Sequence, residues 1–142
     1  MKLESILTTK GPRVLTVGAA QSVREAAAML DRHNVGALVA VNAADQPVGI
    51  ISERDIIRAV ARDEGVLGRP VSSVMTTTIV VGSPQDDVEA VMKTMTEKRF
   101  RHLPVLDKGK LIGIVSIGDM VKAQLSQFQG EIETLETQIT GG

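Results

Sequence analysis

The residue types able to do chemistry fall in a few short stretches of the chain. Ser52-Glu-Arg-Asp55 and Ser116-Ile-Gly-Asp119 each place a hydroxyl where an apolar run ends, with a carboxylate three residues later. At a helix start, such a hydroxyl and the adjacent amides can face an anionic or polar ligand. The same arrangement is also a plain helix cap that needs no ligand. Both roles can coexist, because an ionised carboxylate has about four acceptor positions. Arg99, Arg101 and His102 form a basic cluster. On a strand, Arg99 and Arg101 would share a face and His102 would take the other. The arginines suit an anionic group, or equally a solvated edge with salt-bridge partners, and His102 could simply cover a hairpin. Lys10-Gly11 offers one more cation, toward a phosphate or in a flexible entry loop.

Catalytic patterns are missing. His33 and His102 lie in unrelated contexts, and there is no His-x-x-x-His, no Gly-x-Ser-x-Gly, no Walker loop and no Gly-x-Gly-x-x-Gly run. Asp86-Asp87 reads as a helix start rather than a metal site. The chain contains no Cys, which excludes a thiol nucleophile, a thiolate metal site and a disulfide framework. A non-enzyme without a catalytic cofactor is the expectation.

The elements that position these residues emerge from comparing the chain with itself. Val23 to Ala59 aligns with Val88 to Ala123: Val23 matches Val88, Leu38 matches Leu103, Gly49 matches Gly113, Ser52 matches Ser116 and Asp55 matches Asp119. The offset falls from 65 to 64 because the turn Asn42 to Pro47 is a residue longer than Asp107 to Lys110. Length differences belong in turns. Each copy reads as β-α-β-β-α. Ser22-Val-Arg-Glu25 looks like a capping box opening a helix with Val23, Ala26, Ala27 and Leu30 at helical spacing. Strands are expected at Ala37 to Val41 and Val48 to Ser52, with a second helix from Ser52. The second copy repeats this with a helix opened by Asp86 or Asp87, strands His102 to Leu106 and Lys110 to Ser116, and a helix from Ser116. A further strand precedes each copy, at Arg13 to Val17 and Thr77 to Val81. The fold class is α/β (α+β), with repeats at residues 10–62 and 70–123 and a helical tail at 124–142. Two such units packed sheet to sheet would share a core, and the cleft between them is the natural ligand location.

The tail carries a separate pattern. Val121, Leu125, Phe128, Ile132, Leu135 and Ile139 fall in the heptad rhythm of an a/d seam, with Gly130 as a soft spot. The seam fits a partner chain or the N-terminal arm, or it closes its own domain.

Composition sets the outer limits. The chain has 142 residues, 43% hydrophobic and 23% charged, with a formal charge of −1, so it should be globular. Only 1% is aromatic, as Phe100 and Phe128, which argues against platforms that stack nucleic-acid bases. The balanced charge argues against a phosphate-tracking surface for DNA. Met1 to Lys10 lacks the apolar core of a signal peptide, and the longest apolar stretch, Val35 to Val41, is too short for a bilayer. No nucleic acid, no membrane and a cytoplasmic location are expected.

Gly49-Ile-Ile-Ser-Glu-Arg-Asp55 and Gly113-Ile-Val-Ser-Ile-Gly-Asp119 resemble the closing strand and helix start of CBS domains, and Arg99-Phe-Arg-His-Leu-Pro-Val105 resembles the strand before it. The tandem is similar to a Bateman module, and the resemblance covers roughly Lys10 to Ala123. It implies a regulatory sensor for adenosyl nucleotides: AMP, ADP, ATP or an NAD-type dinucleotide. It implies a ribose-gripping role for Asp55 and Asp119, and a phosphate-facing role for the basic stretch, where an Arg fork fits. The implied ligand-binding set begins with Lys10, Thr16, Val17, Ser52, Arg54 and Asp55. It continues with Thr78, Arg99, Arg101, His102 and Pro104, and ends with Ile114, Ser116, Ile117, Gly118 and Asp119. Without Trp or Tyr, an adenine would lie among aliphatic side chains such as Val17, Ile50, Ile114 and Val115. The resemblance also implies a homodimer, reinforced by the tail, and an unidentified regulated protein. The competing reading is a structural or adaptor dimer without nucleotide response. The copies differ, since the first has Asn34-Val-Gly-Ala-Leu-Val39 where the second has Arg99-Phe-Arg-His-Leu-Pro104, and Arg54 stands where Gly118 does. The two pseudo-symmetric sites are therefore expected to differ in affinity or ligand.

Overall fold

The computed structural model describes the backbone of residues 1–11 and 14–140, and side chains as far as residue 132. Arg13, Leu135 and Ile139, named above for the first strand and the tail seam, lie outside the described side chains. The chain opens with α1 (Leu3–Lys10), followed by β1 (Thr16–Gly18), α2 (Val23–His33), β2 (Ala37–Val41), β3 (Pro47–Ser52) and α3 (Glu53–Arg62). Two short 3-10 turns, Glu64–Gly68 and Val71–Ser73, bridge to α4 (Val88–Lys98), β4 (His102–Asp107), β5 (Lys110–Ser116) and α5 (Ile117–Thr140).

In the first repeat β1 lies parallel to β2, with Val17 opposite Ala40, and β2 pairs antiparallel with β3, with Val39 opposite Ile50. α2 starts where the Ser22 hydroxyl accepts from the Glu25 amide at 3.1 Å. The reciprocal half of the expected capping box does not form, because the Glu25 carboxylate accepts from Gln21 Nε2 at 2.8 Å instead. The second repeat keeps the β4–β5 hairpin, with Pro104 opposite Ile114. The strand expected at Thr77 to Val81 is not a regular strand. Its entry, Thr76, pairs with Ile50 of the first repeat through both backbone bonds, at 3.0 and 2.8 Å. The chain then crosses between the repeats and joins its own sheet only at Gly82, in a single parallel bridge to Val105.

The repeats do not share one core. Val17, Val23, Leu30, Leu38, Ile51, Ile56 and Val71 form the first cluster, whereas Val88, Met95, Leu103, Val105, Val115 and Met120 form the second. Each sheet packs into its own cluster, and both polar and apolar side chains line the space between the repeats. Leu3 and Ile6 of α1 belong to the second cluster, although α1 precedes the first repeat in sequence. Backbone bonds from Leu3 to Asp86 and from Val88 to Met1 hold α1 there. Gly113 explains the close fit, because a side chain at that position would collide with Leu7. α5 runs without a break across residue 124, so repeat and tail are one helix. Val121, Leu125, Phe128 and Ile132 are all more than 40% exposed along it. Among the described residues, no helix is long and apolar enough to cross a membrane.

Candidate functional site

Both Ser-x-x-Asp elements form complete capping boxes. The Ser52 hydroxyl accepts from the Asp55 amide at 3.1 Å, and Asp55 Oδ2 accepts from the Ser52 amide at 3.0 Å. Ser116 and Asp119 repeat this at 3.0 and 2.9 Å. The carboxylates thereby stop each strand, start each helix, and are fixed in one rotamer.

What surrounds them differs. Asp55 is half-buried and opens onto a cleft of about 780 Å³ between the repeats, and its Oδ1 has no partner among the described residues. Asp119 does not line that cleft. Its Oδ2 also accepts from Lys10 Nζ at 2.9 Å, and the same ammonium donates to the Ile114 carbonyl at 2.9 Å. Burial alone would raise the Asp119 carboxyl, but the Lys10 ammonium and the Ser116 amide and hydroxyl hold it below the usual carboxylate range. Lys10, expected in an entry loop or on a phosphate, is instead the last residue of α1.

The basic cluster is assembled differently from a strand. Arg99 is the left-handed C-cap of α4, at φ 58° and ψ 42°, so the strand begins only at His102. The alternation expected for Arg99, Arg101 and His102 therefore does not apply, and all three line the same cleft. Arg54 and Arg58, one helical turn apart on α3, approach from the other repeat. None of these guanidiniums is in an ion pair among the described residues; the pairs there are Met1–Asp87, Lys10–Asp119 and Arg69–Asp63. Gly36 faces the cluster, and a Cβ there would lie 3.7 Å from His102 Nε2 and 3.8 Å from Glu53 Oε1. Burial pushes the His102 imidazole below its ordinary value, with Lys10 and Arg101 acting in the same direction and Asp119 and Glu53 opposing.

Ser52, Arg54, Asp55, Thr78, Arg99, Arg101, His102, Ser116, Ile117 and Gly118 all line the cleft. Lys10, Thr16, Val17, Pro104, Ile114 and Asp119 do not. Val17 and Val115 are buried in the two cores, Pro104 is buried on β4, and the Ile114 carbonyl is held by Lys10. Of the expected aliphatic wall only Ile50 faces the cleft, joined by Ile79, Val80 and Phe100. Sequence reading passed over Thr76, Ile79 and Val80 because the crossing segment looked like a sheet strand. Arg58 was legible as the helical neighbour of Arg54, four residues on. No cluster of acidic and His side chains able to hold a metal ion occurs among the described residues.

Comparison with known proteins agrees with this architecture. The chain matches the CBS domain twice, over residues 4–62 and 71–126. It is 38% identical over 128 residues to the CBS domain-containing protein YhcV of Bacillus subtilis, covering 87% of this chain and 88% of that protein. A crystal structure of a CBS-domain containing protein from Agrobacterium tumefaciens superposes with a TM-score of 0.82 at 41% identity, covering 87% of this chain and 92% of that one. The CBS domain pair of protein MJ0100, solved with 5-methylthioadenosine and S-adenosyl-L-methionine, superposes with a TM-score of 0.80 at 25% identity, covering 89% and 98% of the two chains. Two matched repeats, a mixed helix-and-strand fold and a polar cleft between the repeats lead to one assignment: this chain belongs to the CBS domain family, as a tandem pair.

Proposed function

We propose that the protein is a regulatory module that binds an adenosyl nucleotide in the cleft between its repeats and signals by a change of shape or of affinity for a regulated protein. The observation that carries this reading is Asp55. It is a cleft-facing carboxylate with one oxygen free among the described residues, and it shares the cleft with guanidiniums that make no ion pair among those residues. A carboxylate is acceptor-only and suits the two donors of a ribose diol. Guanidinium forks suit phosphate oxygens. Ile50, Ile79 and Val80 offer an aliphatic slot for the adenine. The adenosyl compounds bound to the MJ0100 pair support the nucleoside half of the assignment. AMP, ADP, ATP and NAD-type dinucleotides all fit this division of labour, with Asp55 on the ribose and Arg99 and Arg101 on the phosphates. Ile57, Val121, Leu125, Phe128 and Ile132, exposed on α3 and α5, support a homodimer through those helices.

A thermal-shift panel of AMP, ADP, ATP, NAD, S-adenosylmethionine and buffer tests the reading. A ligand at a hundred times its Kd adds about 2.7 kcal/mol to folding stability. At least one phosphorylated nucleotide is expected to raise Tm, and Asp55→Ala or Arg101→Ala to remove most of that rise. No shift with any compound would favour the adaptor reading.

A further inference from the structure

The repeats carry matching strand-end and helix-start residues, with Ile50 matching Ile114, Ser52 matching Ser116 and Asp55 matching Asp119. One difference in hydrogen bonding separates them. The Ile50 carbonyl accepts from the Thr76 backbone amide at 2.8 Å. That amide has a single proton, so nothing is left over for Asp55. The Ile114 carbonyl accepts instead from the Lys10 ammonium at 2.9 Å. An ammonium has three donors, and the second goes to Asp119 Oδ2, also at 2.9 Å. We infer that Lys10 closes the second of two pseudo-equivalent nucleotide positions, so that each chain takes one nucleotide, at Asp55. This rests on the nucleotide reading above.

The closure is built into the fold. α1 is anchored by Leu3 and Ile6 in the second core, and its Leu7 lies against Gly113 on the strand that carries Ile114. Its C-terminus is fixed by the Gly11 amide bonding to the Leu7 carbonyl at 3.0 Å, and Gly11 takes φ 94°, a value open to glycine. Lys10 is thus delivered by a packed helix and not by a loose arm. A diol arriving at Asp119 meets an oxygen already shared between the Ser116 amide and an ammonium, with the carboxylate's charge neutralised. Expelling Lys10 would also strip the Ile114 carbonyl of its partner. At Asp55 the corresponding oxygen accepts from the Ser52 amide alone, with no ammonium on it among the described residues.

Isothermal titration with AMP and with ATP, on the full chain, decides the matter. The wild-type protein is expected to bind one nucleotide per chain. Lys10→Met, which keeps a chain of similar length without the ammonium, is expected to add a second binding event, and Lys10→Gln serves as a second variant. Asp119→Asn should leave wild-type stoichiometry at one and Kd within about threefold. Two equal sites in the wild type, or a single site in both Lys10 variants, would overturn the inference while leaving the nucleotide reading intact. A ligand-free cycle provides the second readout: Tm changes of Lys10→Met and Asp119→Asn should be non-additive in the double variant. Additive changes would overturn the contact itself. Absence of binding by AMP, ATP and every other compound of the thermal-shift panel in every variant, with the cycle still non-additive, would refute the nucleotide reading and this inference together.

Discussion

Asp55 is held by its own helix start, and that separates its structural role from its ligand role. An amide oxygen at position 55 can still accept from the Ser52 amide, so Asp55→Asn should keep the cap and the fold while losing one acceptor and the charge. Arg99 permits a similar separation. A non-glycine residue at φ 58° carries a backbone cost that glycine lacks. Arg99→Gly is therefore expected to leave Tm unchanged or raise it, by up to about 1 kcal/mol of stability, while weakening phosphate-dependent binding in titration. His102 adds a pH signature. Its folded value lies below 6.5, so its neutral form contributes stability that is complete above pH 6.5 and is lost as pH falls below it, where the unfolded chain takes up a proton first. A phosphate beside the ring favours the protonated form and raises its value. Nucleotide binding then takes up a proton between the free and bound values, so affinity should gain as pH falls through that window. Measured from pH 8 to 6, the affinity ratio of wild type to His102→Asn is expected to grow toward the acid side. A flat ratio would remove His102 from the phosphate end.

At the scale of elements, the Ser-x-x-Asp starts were readable from sequence because capping needs only residue types at local spacing. Losing the Ser52 hydroxyl should cost about 1 kcal/mol, read as a drop in Tm for Ser52→Ala. The place of the crossing segment was not readable. Thr77 to Val81 has strand-forming residues, but its entry pairs with the other repeat through Thr76, a nonlocal choice that no local pattern encodes. The same crossing explains Gly49. A Cβ there would lie 2.8 Å from the Thr76 carbonyl, a backbone atom that cannot swing aside, whereas one at Gly113 meets only the end of the Leu7 side chain. Gly49→Ala is expected to cost about 1–3 kcal/mol and to lower Tm more than Gly113→Ala, which Leu7 can accommodate by rotating. Equal losses would mean that the two strands are covered alike. Arg99 illustrates another limit of local reading. Strand alternation fails for it because α4 ends in a left-handed residue, just as α2 ends at Asn34 with φ 52°.

On the scale of the whole molecule, self-similarity revealed the pair of repeats and the cleft between them, because register and residue type repeat together. It did not reveal that α1 crosses to the second repeat, since nothing local in Leu3 to Lys10 names Gly113 or Asp119 as neighbours. Pseudo-symmetry therefore overstated the equivalence of the two carboxylates. The exposed row Val121, Leu125, Phe128 and Ile132 is expected to be covered in a homodimer. Leu125→Asp with Phe128→Asp should halve the mass seen by light scattering, and an unchanged mass would exclude that face. The central claim, that the cleft holds a nucleotide through Asp55, is tested most directly by isothermal titration of wild type and Asp55→Asn with the nucleotide giving the largest thermal shift. Hydrogen bonds to a charged group contribute about 1.5–3 kcal/mol each, so the variant should bind at least tenfold more weakly, by that roughly 1.4 kcal/mol or more, with its unliganded Tm nearly unchanged. Equal Kd values for the two proteins would contradict the account.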